Sequence, residues 1–105
     1  LRGDRGPRGA VFSEFYGQAP EDQIARCRIK SVRTAEWKMN VYQDDRSELY
    51  DLRADPAEMR NLIDEPVHAD IRRELGDRIM EWLRATGDPM ADMTERRIGE
   101  LVSGI

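Results

Sequence analysis

Trp37-Lys38-Met39-Asn40-Val41-Tyr42 is the stretch on which the fold turns. Trp37, Met39 and Val41 alternate with Glu36, Lys38 and Asn40, and a period of two sends one set of side chains to each face of a strand. The apolar set predicts one buried face. On the N-terminal side, Cys27 and Ile29 alternate with Arg26, Arg28 and Lys30, and Arg33-Thr34-Ala35-Glu36 is short enough to reverse the chain between the two runs. On the C-terminal side, Gln43-Asp44-Asp45-Arg46-Ser47 is a polar turn leading into Glu48-Leu49-Tyr50-Asp51-Leu52. Ala10 to Tyr16, aromatic and β-branched, adds a first strand closed by Gly17 and Pro20. Connections this short exclude crossovers, so about four strands are expected in an antiparallel meander.

Helical signals follow the strands. Asp55-Pro56-Ala57-Glu58 carries the residues of a capping box, with a carboxylate at the N-cap, proline at the first helical position and glutamate at the third. One or two helical turns ending near Asn61 are expected there. Pro66 then opens a longer helix in which Val67, Ile71, Leu75, Ile79 and Leu83 recur every fourth residue, with Trp82 widening the stripe. Gly87 and Pro89 end it. A sheet with one apolar face and a helix with one apolar stripe cover each other, giving an α+β domain. Trp37, Met39 and Val41 are expected against Ile71, Leu75, Ile79 and Trp82. Residues 1–9, with glycine at every third position, read as a connector and 10–89 as the domain. In the 90–105 tail, Met93, Ile98, Leu101, Val102 and Ile105 suggest a weaker second helix.

The 105 residues suffice for one core, and 39% apolar against 36% charged residues with a mean hydropathy of -0.75 leave most other faces solvated. No apolar run approaches the roughly 18 residues that span a bilayer, so no membrane partner is expected. Residues 1–43 hold eight basic and five acidic groups, and residues 44–81 six basic and twelve acidic. This asymmetry reads as internal or interfacial matching. The basic stripe Arg26, Arg28, Lys30, Arg33 and Lys38 is not read as a nucleic-acid surface, because the chain is acidic overall and only Trp37 lies near the stripe.

Ser31-Val32-Arg33-Thr34 through Trp37-Lys38, then Glu48-Leu49-Tyr50-Asp51-Leu52, Asp55-Pro56, Glu58 and Asn61-Leu62, resemble the C-terminal region of bacterial sulfatases of the alkaline-phosphatase superfamily. Val11-Phe12-Ser13-Glu14 and Thr86-Gly87-Asp88-Pro89 fit the same pattern, so the resemblance spans about residues 1–89. It implies a small antiparallel sheet with one long helix across it, beside a large catalytic α/β domain. The chain starts at Leu1 and is expected to be cut from a longer one, with that N-terminal catalytic domain as its partner. In such a parent, a cysteine or serine in a C/S-x-P-x-R motif becomes formylglycine and works beside a divalent cation, usually calcium.

No residue of this chain is assigned to catalysis, cofactor or metal. Cys27 is followed by Arg28, Ile29, Lys30 and Ser31, so the proline and arginine of the motif are missing. Asp44-Asp45 sits in a polar turn without the six to eight oxygens of a calcium site. His68 reads as a surface residue of the helix's first turn, and Trp37, Trp82, Tyr42 and Tyr50 as sheet-to-helix core. Lys38 and Arg33 are expected to pair with carboxylates of residues 48–58. The same pattern also fits phosphate or phosphonate ester hydrolases of the superfamily, or a stand-alone interaction or dimerisation module. An exposed sheet face would favour a homo-oligomer.

Overall fold

The structure, a computed structural model, describes residues 2–5, 9–16, 28–43 and 46–103. Five strands, β1 (Arg2–Arg5), β2 (Val11–Tyr16), β3 (Arg28–Arg33), β4 (Trp37–Tyr42) and β5 (Glu48–Asp51), form one antiparallel sheet in chain order. A 3-10 turn at Pro66–His68 leads into α1 (Ala69–Thr86), and α2 (Ala91–Ser103) follows. The α+β class and the meander are as expected. The strand read as part of a connector, β1, pairs along β2 from Arg2↔Glu14 to Arg5↔Val11. Its glycine and charges carry no strand pattern, yet at a sheet edge a ladder needs only backbone groups.

Thr34 makes the tight β3–β4 reversal. Its Oγ1 accepts the N–H of Trp37 at 3.1 Å and of Glu36 at 3.3 Å, while its own N–H donates to the Trp37 carbonyl at 2.8 Å. Asn61 closes the outer edge of β5: its Oδ1 accepts from Leu49 N–H and Ile63 N–H, both at 3.0 Å, and its Nδ2 donates to the Ser47 carbonyl. These bonds, with Leu62 N–H on the Leu49 carbonyl, cover backbone that an edge strand would otherwise leave unpaired.

The expected capping helix does not form. Asp55 does cap backbone, but its oxygens accept from Met59 N–H at 3.0 Å and Arg60 N–H at 2.9 Å, two residues beyond the positions that a helix N-cap serves. Glu58 sits at φ 56, the left-handed region, where a right-handed helix cannot continue. These two backbone bonds hold the Asp55 carboxyl below the usual carboxylate range.

Val32, Met39, Val41 and Leu49 share the core with Leu75, Ile79 and Leu83 of α1 and Ile98 of α2, so both helices lie on one face of the sheet. Trp37, Ile71 and Trp82 pack partly buried at the margin of this core, and Trp82 stacks on Phe12 with ring centroids 5.2 Å apart. Each fully buried aliphatic side chain contributes about 1.5–3 kcal/mol relative to exposure. Gly87, at φ 67, ends α1 with its N–H on the Arg84 carbonyl.

The weaker tail helix is firmly tied. Arg72, buried in α1, donates from Nε to the Leu101 carbonyl at 3.0 Å and from NH1 to the Glu65 carbonyl at 2.7 Å. Gln43 Nε2 reaches the buried Thr94 hydroxyl, and Arg97 Nε the Tyr42 carbonyl. The helices cross at Gly76, where a Cβ would lie 2.6 Å from Ile98 Cγ2. That methyl is on a β-branched carbon and cannot swing away, so α2 would have to move. Gly76→Ala is expected to destabilise the fold by about 1–3 kcal/mol in urea titrations. Ile98→Ala in the same chain should remove most of the additional penalty, and a purely additive double mutant would rule out the crossing.

Candidate functional site

Register decides what each sheet face carries. Val32 pairs with Met39 and Met39 with Leu49 on the helix-covered face, so Ser31, Asn40 and Glu48, one residue out of step, project from the other. Among the described residues no helix packs there. The face carries one connected polar row. Ser31 Oγ donates to Asn40 Oδ1 at 2.6 Å, and Asn40 Nδ2 donates to Glu48 Oε1 at 2.9 Å. Tyr42 OH donates to the same oxygen at 3.2 Å, and Tyr50 OH to Glu48 Oε2 at 3.0 Å. Three donors from β4 and β5 thus converge on one carboxylate, and Ser31 of β3 joins the row through Asn40. Beside them, Lys38 Nζ pairs with Glu58 Oε1 at 3.0 Å, which ties the left-handed Glu58 to the sheet.

Ser31, Asn40 and Tyr50 are buried although this face has no second layer in the described residues. Burial, then the hydrogen bond to Glu48, pushes the Tyr50 hydroxyl up to about 12. Its folded value lies above the ordinary 10.0, so its contribution to stability is fully present below pH 10 and is lost as pH rises through about 12. Tyr50→Phe is therefore expected to flatten the fall in stability over that window. Urea midpoints at stepped alkaline pH would check this, and an unchanged slope would show that Tyr50 titrates normally.

A second charged cluster lies on the covered face. Lys30, 1% exposed, pairs with Glu14 from β2 and, at 2.9 Å, with Asp88 from the α1–α2 turn. Asp88 also accepts the N–H of Met90 at 2.7 Å, so the turn and the sheet share one ion cluster.

Several sequence expectations are corrected. Tyr42 and Tyr50 are not between sheet and helix; they stand on the opposite face, where their hydroxyls find Glu48. Lys30, read as one of the basic residues alternating with Cys27 and Ile29, is inward, and Ile29 projects to the other side, since Lys30 rather than Ile29 is in step with Val41. His68 is half-buried and stands edge-on to Trp37 with ring centroids 5.3 Å apart. Lys38 pairs within 48–58 as expected, whereas Arg33 is exposed. Cys27 and Asp44-Asp45 lie outside the described residues. Among the described residues, no three His, Cys, Asp or Glu side chains come together as metal ligands would. No described helix is long and apolar enough to cross a membrane.

The residues that build this face, from Thr34 at the hairpin to Lys38, Tyr50, Glu58 and Asn61, lie within residues 2–85, the span that matches the family described as "N-sulphoglucosamine sulphohydrolase, C-terminal". The chain belongs to this sulfatase C-terminal family. The "Uncharacterized sulfatase YidJ" of Escherichia coli (strain K12) is 41% identical over 51 residues, 49% of this chain and 10% of that protein. An "Uncharacterized protein" of Haemophilus influenzae is 30% identical over 69 residues, 66% of this chain and 36% of its own length. Among solved structures, BT4656 in complex with its substrate D-glucosamine-2-N,6-O-disulfate is 27% identical with a TM-score of 0.65, over 79% of this chain and 17% of that one. The putative sulfatase yidJ from Bacteroides fragilis, 24% identical with a TM-score of 0.62 over 79% of this chain and 18% of that one, shares the fold. The chain spans about a tenth of the sulfatase and about a third of the Haemophilus protein that it matches. The family match ends at residue 85, so Asp88 and α2 lie beyond it.

Proposed function

We propose that this sulfatase C-terminal domain is a non-catalytic subdomain of a sulfuric-ester hydrolase, docked through the polar sheet face onto a catalytic domain that the 105 residues do not include. The observation that carries the reading is the Ser31–Asn40–Glu48–tyrosine row: a preformed set of hydrogen bonds on a face with no second layer among the described residues, built from family residues. A polar network whose donors are already satisfied adds a surface without stranding buried groups when another body covers it. The small share of the sulfatase relative that the chain spans supports a larger parent.

The formylglycine and divalent cation implied by the family would supply the nucleophile and stabilise charge on the sulfate ester in that parent. The residues here do not fit either group. Nowhere in the sequence is a cysteine or serine followed by x-P-x-R, and the carboxylates of the polar row are engaged with tyrosine, asparagine and lysine donors. This domain's contribution is support and the shaping of a neighbouring surface.

The purified chain is expected to show no turnover of an aryl sulfate with calcium supplied. Metal-dependent turnover that survives removal of contaminants would overturn the non-catalytic reading. A C/S-x-P-x-R motif in the coding sequence upstream of Leu1 would support the parent, and a start codon immediately before Leu1 would sink it.

A further inference from the structure

From the structure we infer that a groove along one end of the domain, separate from the polar sheet face, takes an extended basic segment of a partner polypeptide. Three adjoining hollows make the groove. The middle one shares Val67 and His68 with the first, and Trp37, Ile71 and Glu74 with the last. Their volumes are about 360, 510 and 280 Å³, so the first two are each within the range of real binding sites and the last lies just below it. The floor is apolar and aromatic, with Leu62, Trp37 with His68 edge-on to it, and Ile71, and Val67 stands at the rim. Val67 stands 80% exposed where the first two hollows meet.

Charge selects the occupant. Asp51, Asp55, Glu65, Asp70, Glu74 and Glu36 line the groove, against two arginines, Arg60 and Arg78, each already within ion-pair reach of one of these carboxylates. The lining is therefore strongly acidic around an apolar floor. An extended chain sends alternate side chains to opposite sides, so a segment alternating aliphatic with arginine or lysine residues would set the first on the floor and the second at the rim. The face of Trp37 favours a cation near it. An acidic segment or a sulfated sugar would meet like charge along the whole rim.

The test is titration of the full 105-residue chain with a blocked nonapeptide of alternating valine and arginine, followed by amide and indole NMR shifts. Saturable shifts are expected at Trp37, Val67, His68 and Ile71, with none for the valine–glutamate peptide. The Asp70→Asn/Glu74→Gln variant should weaken binding about tenfold, as lost rim charge does, whereas Asp77→Asn/Glu81→Gln, outside the groove on α1, should change it less than about twofold. Equal losses in the two variants would reduce the effect to general attraction and overturn the proposal. So would shifts confined to other surfaces, or no saturation at about millimolar peptide, an affinity worth only about 4 kcal/mol. A dimer in sedimentation that the first variant abolishes would replace the partner with a second copy and equally overturn it. These outcomes are independent of whether the polar sheet face docks a catalytic domain.

Discussion

Replacing Lys30 with alanine is expected to lower the unfolding free energy by about 3–5 kcal/mol, a large part of what a domain of this size possesses. The ammonium is 1% exposed and its partners Glu14 and Asp88 are 5% and 12% exposed, so none of the three has water to replace a lost partner. Removing the cation leaves two carboxylates close together beneath the helices. The loss then comes from stranded charge more than from the missing attraction. Lys30→Met keeps most of the volume but not the charge, and should remain strongly destabilising while Glu14 and Asp88 are present. Combining Lys30→Met with Glu14→Leu and Asp88→Asn should restore most of the stability, because an uncharged set of similar volume avoids desolvating any ion and the asparagine can still accept the Met90 N–H. Denaturant midpoints for the three variants would decide it. A wild-type midpoint for Lys30→Ala would show that the lysine reaches solvent and that the α1–α2 turn is held by something else.

Leu75→Ala should cost about 2–5 kcal/mol. Leu75 is 1% exposed on the face of α1 that meets Val32 and Met39, and its neighbours along the helix, Ile79 and Leu83, are each 0% exposed. The next residue is Gly76, pressed against Ile98, so α1 is wedged between sheet and α2 and has little freedom to close a cavity. A rigid surround puts the expected loss in the upper part of that range. The same truncation at Val67, 80% exposed, should be nearly neutral and serves as the control. If the two substitutions shifted the urea midpoint equally, α1 would not be covering the sheet in solution.

The architecture was legible wherever a single periodicity governed it. Alternation in Trp37 to Tyr42, the four-residue stripe from Ile71 to Leu83 and the Gly87 stop were each readable in isolation, because they are local statements about which side chains share a face. The candidate surfaces were less legible. Tyr42 and Tyr50 look like core residues, and only the register with Asn40 and Glu48 sends their hydroxyls to one carboxylate on the other side. The groove draws its walls from the β3–β4 turn, the loop after β5 and the start of α1, segments far apart in the chain whose charges have meaning only side by side.

By itself, then, the sequence determined a meander of strands, a long amphipathic helix to cover it and membership in a family whose pattern runs through Glu48-Leu49-Tyr50-Asp51-Leu52 and Asn61-Leu62. The tertiary structure alone decided that Lys30 lies inside and Ile29 outside. Strand alternation offers two registers, and hydrophobicity prefers the one that hides isoleucine, but Glu14 from β2 and Asp88 from beyond α1 converge where the lysine must go. It also decided that Asp55 caps a loop and not a helix, since Glu58, tied to Lys38 across the sheet, turns left-handed where the helix would have continued. In both places the arrangement includes a partner distant in sequence, and no local pattern encodes such a partner.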